Sequence, residues 1–542
     1  MNSRTVLCFI LFATFALRLA GVVYGPYHAD EPIVVNHALA YGTGDLNPHF
    51  FKIPPLASYL VFFVYGLLFV IGRVVGLFPD LLAFQTLFVQ KPVIFYILAR
   101  LTLGVMPGVL AVYFLFRFAL RFFSTRTALT AAALLSVNFL HTRDSHYAYV
   151  DIWMSFAAFM AVFLACKIIK EGRLSSYVQS GFWIGVATAF KYNAVLAGAS
   201  LLVAHGLSKE KKASSLIIGV LMASLVYVLL NPFSIVSFNE FIVDVIHQST
   251  AESHVGLWHP VAYSLAGAGG WPWILAGVTG LYLLALRDKK IFWVIISPML
   301  LFYLQLVFFS QKHERYVLPL VPFLCLGAAI ALERFLSYKK AVFIFALIVF
   351  PLAKTIQADI LFAKKDTRDD VTGWIEKNIP EDTAIAFEHS FYRPLLQRST
   401  LQWEELEFKG SGLPDAVRLK YRRMKDLADP ERPKYRLYFL SDAKQRAFST
   451  SSPILPFDID TIRKEGISYL ILHRAAVPYH VDFSDSVTGQ LRLLRRFSPY
   501  KDSSKSYALD KDALTCAAYS WKELFSRERF GPVLEIYETR VK

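Results

Sequence analysis

Residues 5–32 read TVLCFILFATFALRLAGVVYGPYHADEP. An apolar run from Val6 to Val23 gives way within a few residues to two adjacent carboxylates, Asp30 and Glu31, followed by Pro32. A charge inside hydrocarbon costs roughly 3 kcal/mol on insertion scales, so a carboxylate pair where a span ends is expected to face a water-filled cavity or a ligand. The plainer reading is that the pair marks the polar end of the span and starts a helix from Pro32 to Tyr41, proline being favourable in a first turn. Both readings make the opening stretch a retained first span. The early arginine and apolar run resemble a signal peptide, but no small-residue cleavage pattern precedes the acidic pair.

Working outward, the 542 residues are 55% hydrophobic and 15% aromatic with a mean hydropathy of +0.42, too apolar for an ordinary soluble protein. Apolar runs fall near 5–24, 93–116, 127–141, 152–166, 177–190, 194–207, 214–231, 271–286, 291–309, 316–332 and 341–354, and about 20 residues cross a bilayer. Basic clusters occupy alternate gaps: Arg117/Arg121/Arg126, Lys167/Lys170/Arg173, Lys209/Lys211/Lys212, Arg287/Lys289/Lys290 and Arg334/Lys339/Lys340. The positive-inside rule makes these gaps cytoplasmic and sends 25–92, 142–151, the turn near Lys191, 232–270, 310–315 and the chain after about 355 to the exported side. The net charge of +15 is therefore an orientation signal concentrated in membrane loops, and no nucleic-acid-reading motif accompanies it. One run breaks the alternation: Leu56 to Phe78 is long enough to cross, yet a single crossing would move Asp30 to the cytoplasmic side. It is expected either to lie along or dip into the interface or to pair with the weaker run 81–89.

The four cysteines, Cys8, Cys166, Cys325 and Cys516, form no disulfide framework and no metal-ligand spacing. From residue 359 the composition is that of a globular domain. Helical patterns at Asp366–Asn378, Pro414–Leu427 and Asp460–Glu465 alternate with β-rich runs at Ala384–Phe387, Tyr435–Leu440, Ile467–Leu472 and Val533–Tyr537. This predicts an α/β domain with a partly parallel sheet, and without GxGxxG or a P-loop no nucleotide site is expected. The fold class is a polytopic α-helical membrane protein of about 11 spans: a membrane domain over 1–358 with a large first exported loop, 25–92, and an exported α/β domain over 359–542.

Topology collects a restricted polar set on the exported side: Asp30, Glu31 and Lys52; Arg143, Asp144, His146 and Asp151; Lys191; His247, His254 and His259; Lys312, His313, Glu314 and Arg315. Carboxylates, cations and nearby aromatics suit sugars and phosphates: a carboxylate accepts a hydroxyl proton, cations balance an anionic leaving group and aromatic faces pack on a pyranose. The plainer alternatives are that Asp151 caps the helix starting at Ile152, that Lys191 snorkels from a span end, that 312–315 is a solvated turn, and that the histidines are structural.

The order of these motifs resembles the polyprenol-phosphate-sugar-dependent (GT-C) membrane glycosyltransferases, in the protein O-mannosyltransferase and lipid A aminoarabinose transferase branch. The resemblance rests on the Asp30-Glu31 pair, the loop ending Lys52-Ile53-Pro54-Pro55-Leu56, Arg143 and Asp151 eight residues apart, Gly185 and Lys191-Tyr192, Asn231-Pro232-Phe233, His254 and Gly256, and Arg315 through Pro322. It implies a multi-pass plasma-membrane enzyme with a cytoplasmic N-terminus. It also implies inverting transfer from a polyprenyl-phosphate-linked donor to a glycan, lipid or protein hydroxyl on the exported face, with Asp30 as catalytic base. Glu31, Lys52, Arg143, Asp151, Lys191, His254, His313 and Arg315 are the expected substrate contacts. Ile53 separates Lys52 from the proline pair, where the aminoarabinose transferases have Lys-Pro-Pro. No cofactor is assigned; a divalent metal is the open alternative, since the spacing of His247, His254 and His259 is not a recognised zinc pattern. The competing function is a transporter or flippase of lipid-linked sugars, which calls for internal repeats and matched broken spans that the sequence does not display.

Overall fold

The computed structural model describes residues 2–24, 28, 30–249, 256–309, 313–335, 341–387, 395–409, 415–440, 454–456, 459–473, 491–503 and 520–539. Each of the eleven apolar runs is helical: Ser3–Leu19, Val93–Phe122, Thr125–Ser136, Asp151–Glu171, Leu174–Phe190, Tyr192–Leu207, Ala213–Leu230, Trp271–Arg287, Lys289–Phe309, Glu314–Phe335 and Ala341–Phe362. Among the described residues six helices are long and apolar enough to cross a membrane, and a seventh crossing follows if the pair Pro260–Gly269 and Trp271–Arg287, bent by 103°, counts as one. Local chemistry sets several ends: Ser124 and Asn138 cap the helices that follow them, accepting from Thr127 N and His141 N, and Gly172 closes Asp151–Glu171 at φ 61°.

The ambiguous run forms the helix Leu56–Val74, itself one of the six. A turn in which Leu77 N and Phe78 N both donate to Gly72 O leads into the helix Leu81–Gln90. The two runs pair in space through aromatic rings, Phe84 lying 5.4 Å from Phe69, 5.2 Å from Phe78 and 5.1 Å from Phe95. The second helix has ten residues, a rise of about 15 Å, which is half of the roughly 30 Å hydrocarbon core. Tyr65, midway along the first helix, donates to Phe95 O at 2.9 Å, in the first turn of Val93–Phe122.

Close approaches replace side-chain bulk where the loop before Asp151 meets the bundle. A Cβ on Gly104 would lie 2.2 Å from Ser145 O, and one on Gly108 would lie 2.6 Å from Ser145 Oγ. The helix Val93–Phe122 takes a π-helical turn at Leu101–Val105, beside this contact. Buried Arg18 seals the same region: its guanidinium donates to Ser136 O at 3.0 Å and Leu135 O at 3.4 Å and lies 2.8 Å from His141 Nδ1. It thereby satisfies carbonyls that the end of Thr125–Ser136 leaves open, where the helix dipole also favours a cation.

The last apolar helix continues to Phe362, four residues past the compositional change, and the helix Thr367–Asn378 then opens an α/β region behind a capping box of Asp366 and Asp369. Its strands are β1 (Ala384–Phe387), β2 (Gln397–Arg398), β3 (Lys434–Leu440), β4 (Ile454–Leu455), β5 (Tyr469–His473), β6 (Arg492–Phe497) and β7 (Leu534–Glu538). The sheet runs β2-β3-β1-β5-β7-β6, with β4 also on β3; the pairs among β1 to β5 are parallel, and β7 is antiparallel to both neighbours. Alternation along β1 sends Ile385 and Phe387 to the face covered by Val371 and Ile375, and Ala384 and Ala386 to the face covered by Ile462. The partly parallel sheet is as expected, and strand bounds agree within two residues; β2, β4 and β6 are additions, short or edge strands with no strong pattern. Phe530 packs on Phe362 at 4.6 Å, Trp521 on Phe350 at 4.3 Å, and Gln90 Nε2 donates to Leu427 O, so the sheet region rests on the helical bundle.

Candidate active site

Asp30 precedes the helix Glu31–Ala40, which carries Pro32 in its first turn. The Asp30 side chain makes no cap; it is 17% exposed and lies 3.5 Å from Arg315 Nη2. Arg315 comes from the 3-10 segment Glu314–Leu320, and its Nε is 3.3 Å from Asp151 Oδ2. Asp151 begins the helix Asp151–Glu171 without capping it, and its Oδ1 accepts from Lys191 Nζ at 2.7 Å. The result is an alternating row, Asp30–Arg315–Asp151–Lys191, assembled from four separate elements. Isolated charges would be costly at this depth; each is compensated by an opposite neighbour.

Rings frame the row. The Lys191 ammonium stands 4.1 Å over the Tyr316 ring, and the Arg315 guanidinium lies 5.4 Å from the centroids of both Tyr149 and Tyr316, distances at which a cation is attracted to the ring face. Burial, with the Asp30 carboxylate close by, pushes the Tyr149 hydroxyl well above the usual tyrosine range. A small cavity opens against His28, Asp144, Tyr147, Tyr149, Asp151 and Arg315.

Other expected site residues take different places. Glu31 is fully buried: Arg100 Nε donates to Oε1 at 2.8 Å and Arg100 Nη2 to Oε2 at 2.9 Å, while Ala148 N and His28 N donate to the same carboxylate. The four bonds tie the first loop to the second through Glu31, the residue expected as a substrate contact. Arg143 is likewise buried, 3.0 Å from Asp144 Oδ2 and 3.9 Å from Glu314 Oε2, and does not line the cavity. The turn 313–315 is not solvated: Glu314 and Arg315 are buried, and His313 sits half-buried with its ring 5.2 Å from Tyr316. Lys52 is half-buried at the end of a loop whose Phe51 O accepts from Tyr192 OH at 2.9 Å, which brings the chain at Lys52 beside the chain at Lys191. His254 and Lys312 lie outside the described residues. His247 is exposed on the helix Phe238–Ser249, and His259 packs on Tyr263 at 5.3 Å. Among the described residues no three His, Cys, Asp or Glu side chains are gathered so as to hold a metal ion.

Two residues of the site escaped sequence reasoning. His28 is buried, stacks on Tyr149 at 5.1 Å and meets Arg315 Nη1 at 2.9 Å through Nε2; its Nδ1 lies 3.0 Å from Asp30 N. Arg100 is a lone cation in an apolar run, and such a charge demands a partner; that signal pointed at a carboxylate near a span end.

In sequence, residues 95–235 match the family described as dolichyl-phosphate-mannose-protein mannosyltransferase, a stretch containing Arg143, Asp151 and Lys191. No curated protein matches the chain. In structure it is similar to ArnT from Cupriavidus metallidurans in the apo state, with 13% identity and a TM-score of 0.55 over 99% of this chain and 98% of that one. ArnT bound to undecaprenyl phosphate gives 13% identity and a TM-score of 0.52 over 98% and 97%. The oligosaccharyltransferase AglB from Archaeoglobus fulgidus, in complex with an inhibitory peptide and a dolichol-phosphate, gives 11% identity and a TM-score of 0.50 over 87% of this chain and 69% of that one. The chain has the fold of the GT-C membrane glycosyltransferases, with a C-terminal region built on a small sheet.

Proposed function

We propose that the protein transfers a sugar from a polyprenyl-phosphate-linked donor to an acceptor hydroxyl of a glycan, lipid or protein, on the exported face of the plasma membrane. The N-terminus is then cytoplasmic and the sheet region exported, in keeping with the alternation of basic clusters. The observation that carries the reading is the row Asp30–Arg315–Asp151–Lys191 beside a cavity, on a fold shared with membrane glycosyltransferases.

In this mechanism Asp30 takes the proton of the acceptor hydroxyl as that oxygen bonds to the anomeric carbon, and the bond from that carbon to the phosphate oxygen breaks on the opposite face, inverting the centre. Asp30 has a partly exposed carboxylate, 3.5 Å from Arg315 Nη2. The departing polyprenyl phosphate gains negative charge, which Lys191 and Arg315 stabilise, joined by Lys52 at the loop end. Both cations are held by Asp151; an arriving phosphate competes with Asp151 for them, so Asp151 positions the cations. His28 lies between Asp30 and Arg315; as a neutral imidazole it accepts at one ring nitrogen, from Asp30 N or from Arg315 Nη1.

The test is turnover of purified protein in vesicles loaded with a polyprenyl-phosphate sugar, read as released polyprenyl phosphate, together with mass spectrometry of envelope glycans from cells with and without the protein. Unchanged glycans and no lipid phosphate release from any such donor would overturn the proposal.

A further inference from the structure

The helix Phe238–Ser249 sets its two acids against the loop 45–52, Asp244 part-buried and Glu240 half exposed, and turns apolar residues outward. At about 100° per residue, Glu240, Asp244 and Phe241 share one side, and Phe238, Ile242, Val243 and Ile246 share the other. On the inner side Asp244 Oδ2 accepts from Phe51 N at 2.6 Å, Glu240 Oε2 lies 3.1 Å from His49 Nδ1, and Phe241 meets the buried Phe51 ring edge-on at 5.9 Å. Asn47 Nδ2 adds a bond to Ser237 Oγ at 2.9 Å, so the loop 45–52 is fastened along the helix. On the outer side Phe238, Val243 and Ile246 are 55%, 66% and 54% exposed. A surface helix of a water-soluble protein shows the reverse pattern, apolar stripe in and charge out.

The surroundings indicate what covers the outer side. The helix follows the apolar helix Ala213–Leu230 after the Asn231-Pro232 break, and the outward Leu221, Leu225 and Leu229 of that helix continue into exposed Ile235, Val236 and Phe238. Beyond it Leu257 and Trp258 are exposed as well, and Tyr303 OH bonds Leu257 O, tying that segment to the helix Lys289–Phe309. Tryptophan beside the end of an apolar helix is characteristic of the headgroup region.

We propose that Phe238–Ser249 lies in the membrane–water interface, its Phe238, Val243 and Ile246 side chains seated at the boundary of headgroups and acyl chains, while Glu240 and Asp244 hold the loop that carries Lys52. The partner is the lipid bilayer itself. The loop ending at Lys52 is then moored to the bilayer surface through one amphipathic helix. This placement is independent of which reaction the protein performs.

The experiment places a nitroxide at Val243→Cys and at Ile246→Cys in full-length protein whose Cys8, Cys166, Cys325 and Cys516 are replaced, reconstituted in lipid nanodiscs. Leu225→Cys marks the apolar helix and Lys501→Cys the exposed sheet region. Collision with oxygen should exceed collision with a water-soluble nickel chelate at 243 and 246, as at 225 and opposite to 501. Chelate access at 243 and 246 equal to that at 501 overturns the proposal. So does low collision with both reagents accompanied by spin–spin broadening, which would mean that a second copy of the chain covers the helix. If the cysteine-replaced protein does not fold, Val243→Cys in the native-cysteine chain is alkylated with a charged maleimide and read at peptide level. Labelling at least about tenfold slower than at Lys501→Cys is expected for a site in lipid, and equal rates overturn the proposal.

Discussion

Replacing Glu31 by glutamine tests whether the acidic pair divides into one working carboxylate and one brace. Glu31 Oε1 accepts from Arg100 Nε and Ala148 N, and Oε2 accepts from Arg100 Nη2 and His28 N. Whichever way the glutamine amide is turned, its NH2 faces two donors where an oxygen stood, so two hydrogen bonds become repulsive contacts. Arg100, fully buried, also loses its counter-charge. Removing one partner of a buried ion pair typically costs about 3–5 kcal/mol. The expected outcome is a lower melting transition and less monodisperse protein for E31Q, with the loss visible before any substrate is added. The double variant E31Q/R100Q should melt above E31Q, because no uncompensated charge remains; singles and double form a cycle whose coupling should be on the order of 2 kcal/mol. Thermal unfolding in detergent, followed by size-exclusion chromatography, reads all three. E31Q melting with the parent protein would falsify the bracing role, and a double variant no more stable than E31Q would show that charge balance is not what Glu31 supplies.

Asp30→Asn should do the opposite, leaving the melting transition in place while turnover falls by about 10²- to 10⁴-fold; donor binding should survive, since a negative charge near an anionic ligand is removed, and near-normal transfer would move the base elsewhere, Asp151 being next. Arg315→Lys should weaken donor affinity by roughly tenfold or more, because one ammonium cannot reach the Asp30, Asp151 and His28 positions that the guanidinium fork touches together; an unchanged affinity in a titration with polyprenyl phosphate would count against a phosphate-holding Arg315. Reporter fusions after residue 358 should be active on the exported side and fusions near Lys211 on the cytoplasmic side, and the reverse pattern would remove Asp30 from its proposed compartment.

Much of this was present in the sequence. Apolar runs and basic clusters are one-dimensional properties, set by transfer free energy and by charge, and every apolar run is a helix because a backbone in hydrocarbon has to bond to itself. The α/β alternation after residue 359 was equally readable, as strands and helices there carry different periods and Ala384–Phe387 needed no distant partner to be recognised. Asp30, Asp151, Lys191 and Arg315 belong to a longer set that the sequence marks, with Glu31, Lys52, Arg143, His254 and His313, because charged and polar residues at span ends are expensive and few.

What the sequence left open was which charges answer one another. Asp30 and Glu31 are neighbours of nearly identical chemistry, yet one lies partly exposed beside Arg315 and the other is locked to Arg100, since consecutive residues at a helix start point in different directions. Arg143 and Arg315 are both single arginines in segments between apolar runs; only packing puts Arg315 beside Asp30 and Asp151 and gives Arg143 to Asp144. His28 carried no spacing signal, because its partners Arg315 and Tyr149 are brought to it by other helices. Composition fixes how many charges a membrane chain keeps and where along the chain they fall, while compensation in a medium of low dielectric is a matter of distances of a few ångströms, and these exist only once the helices have packed.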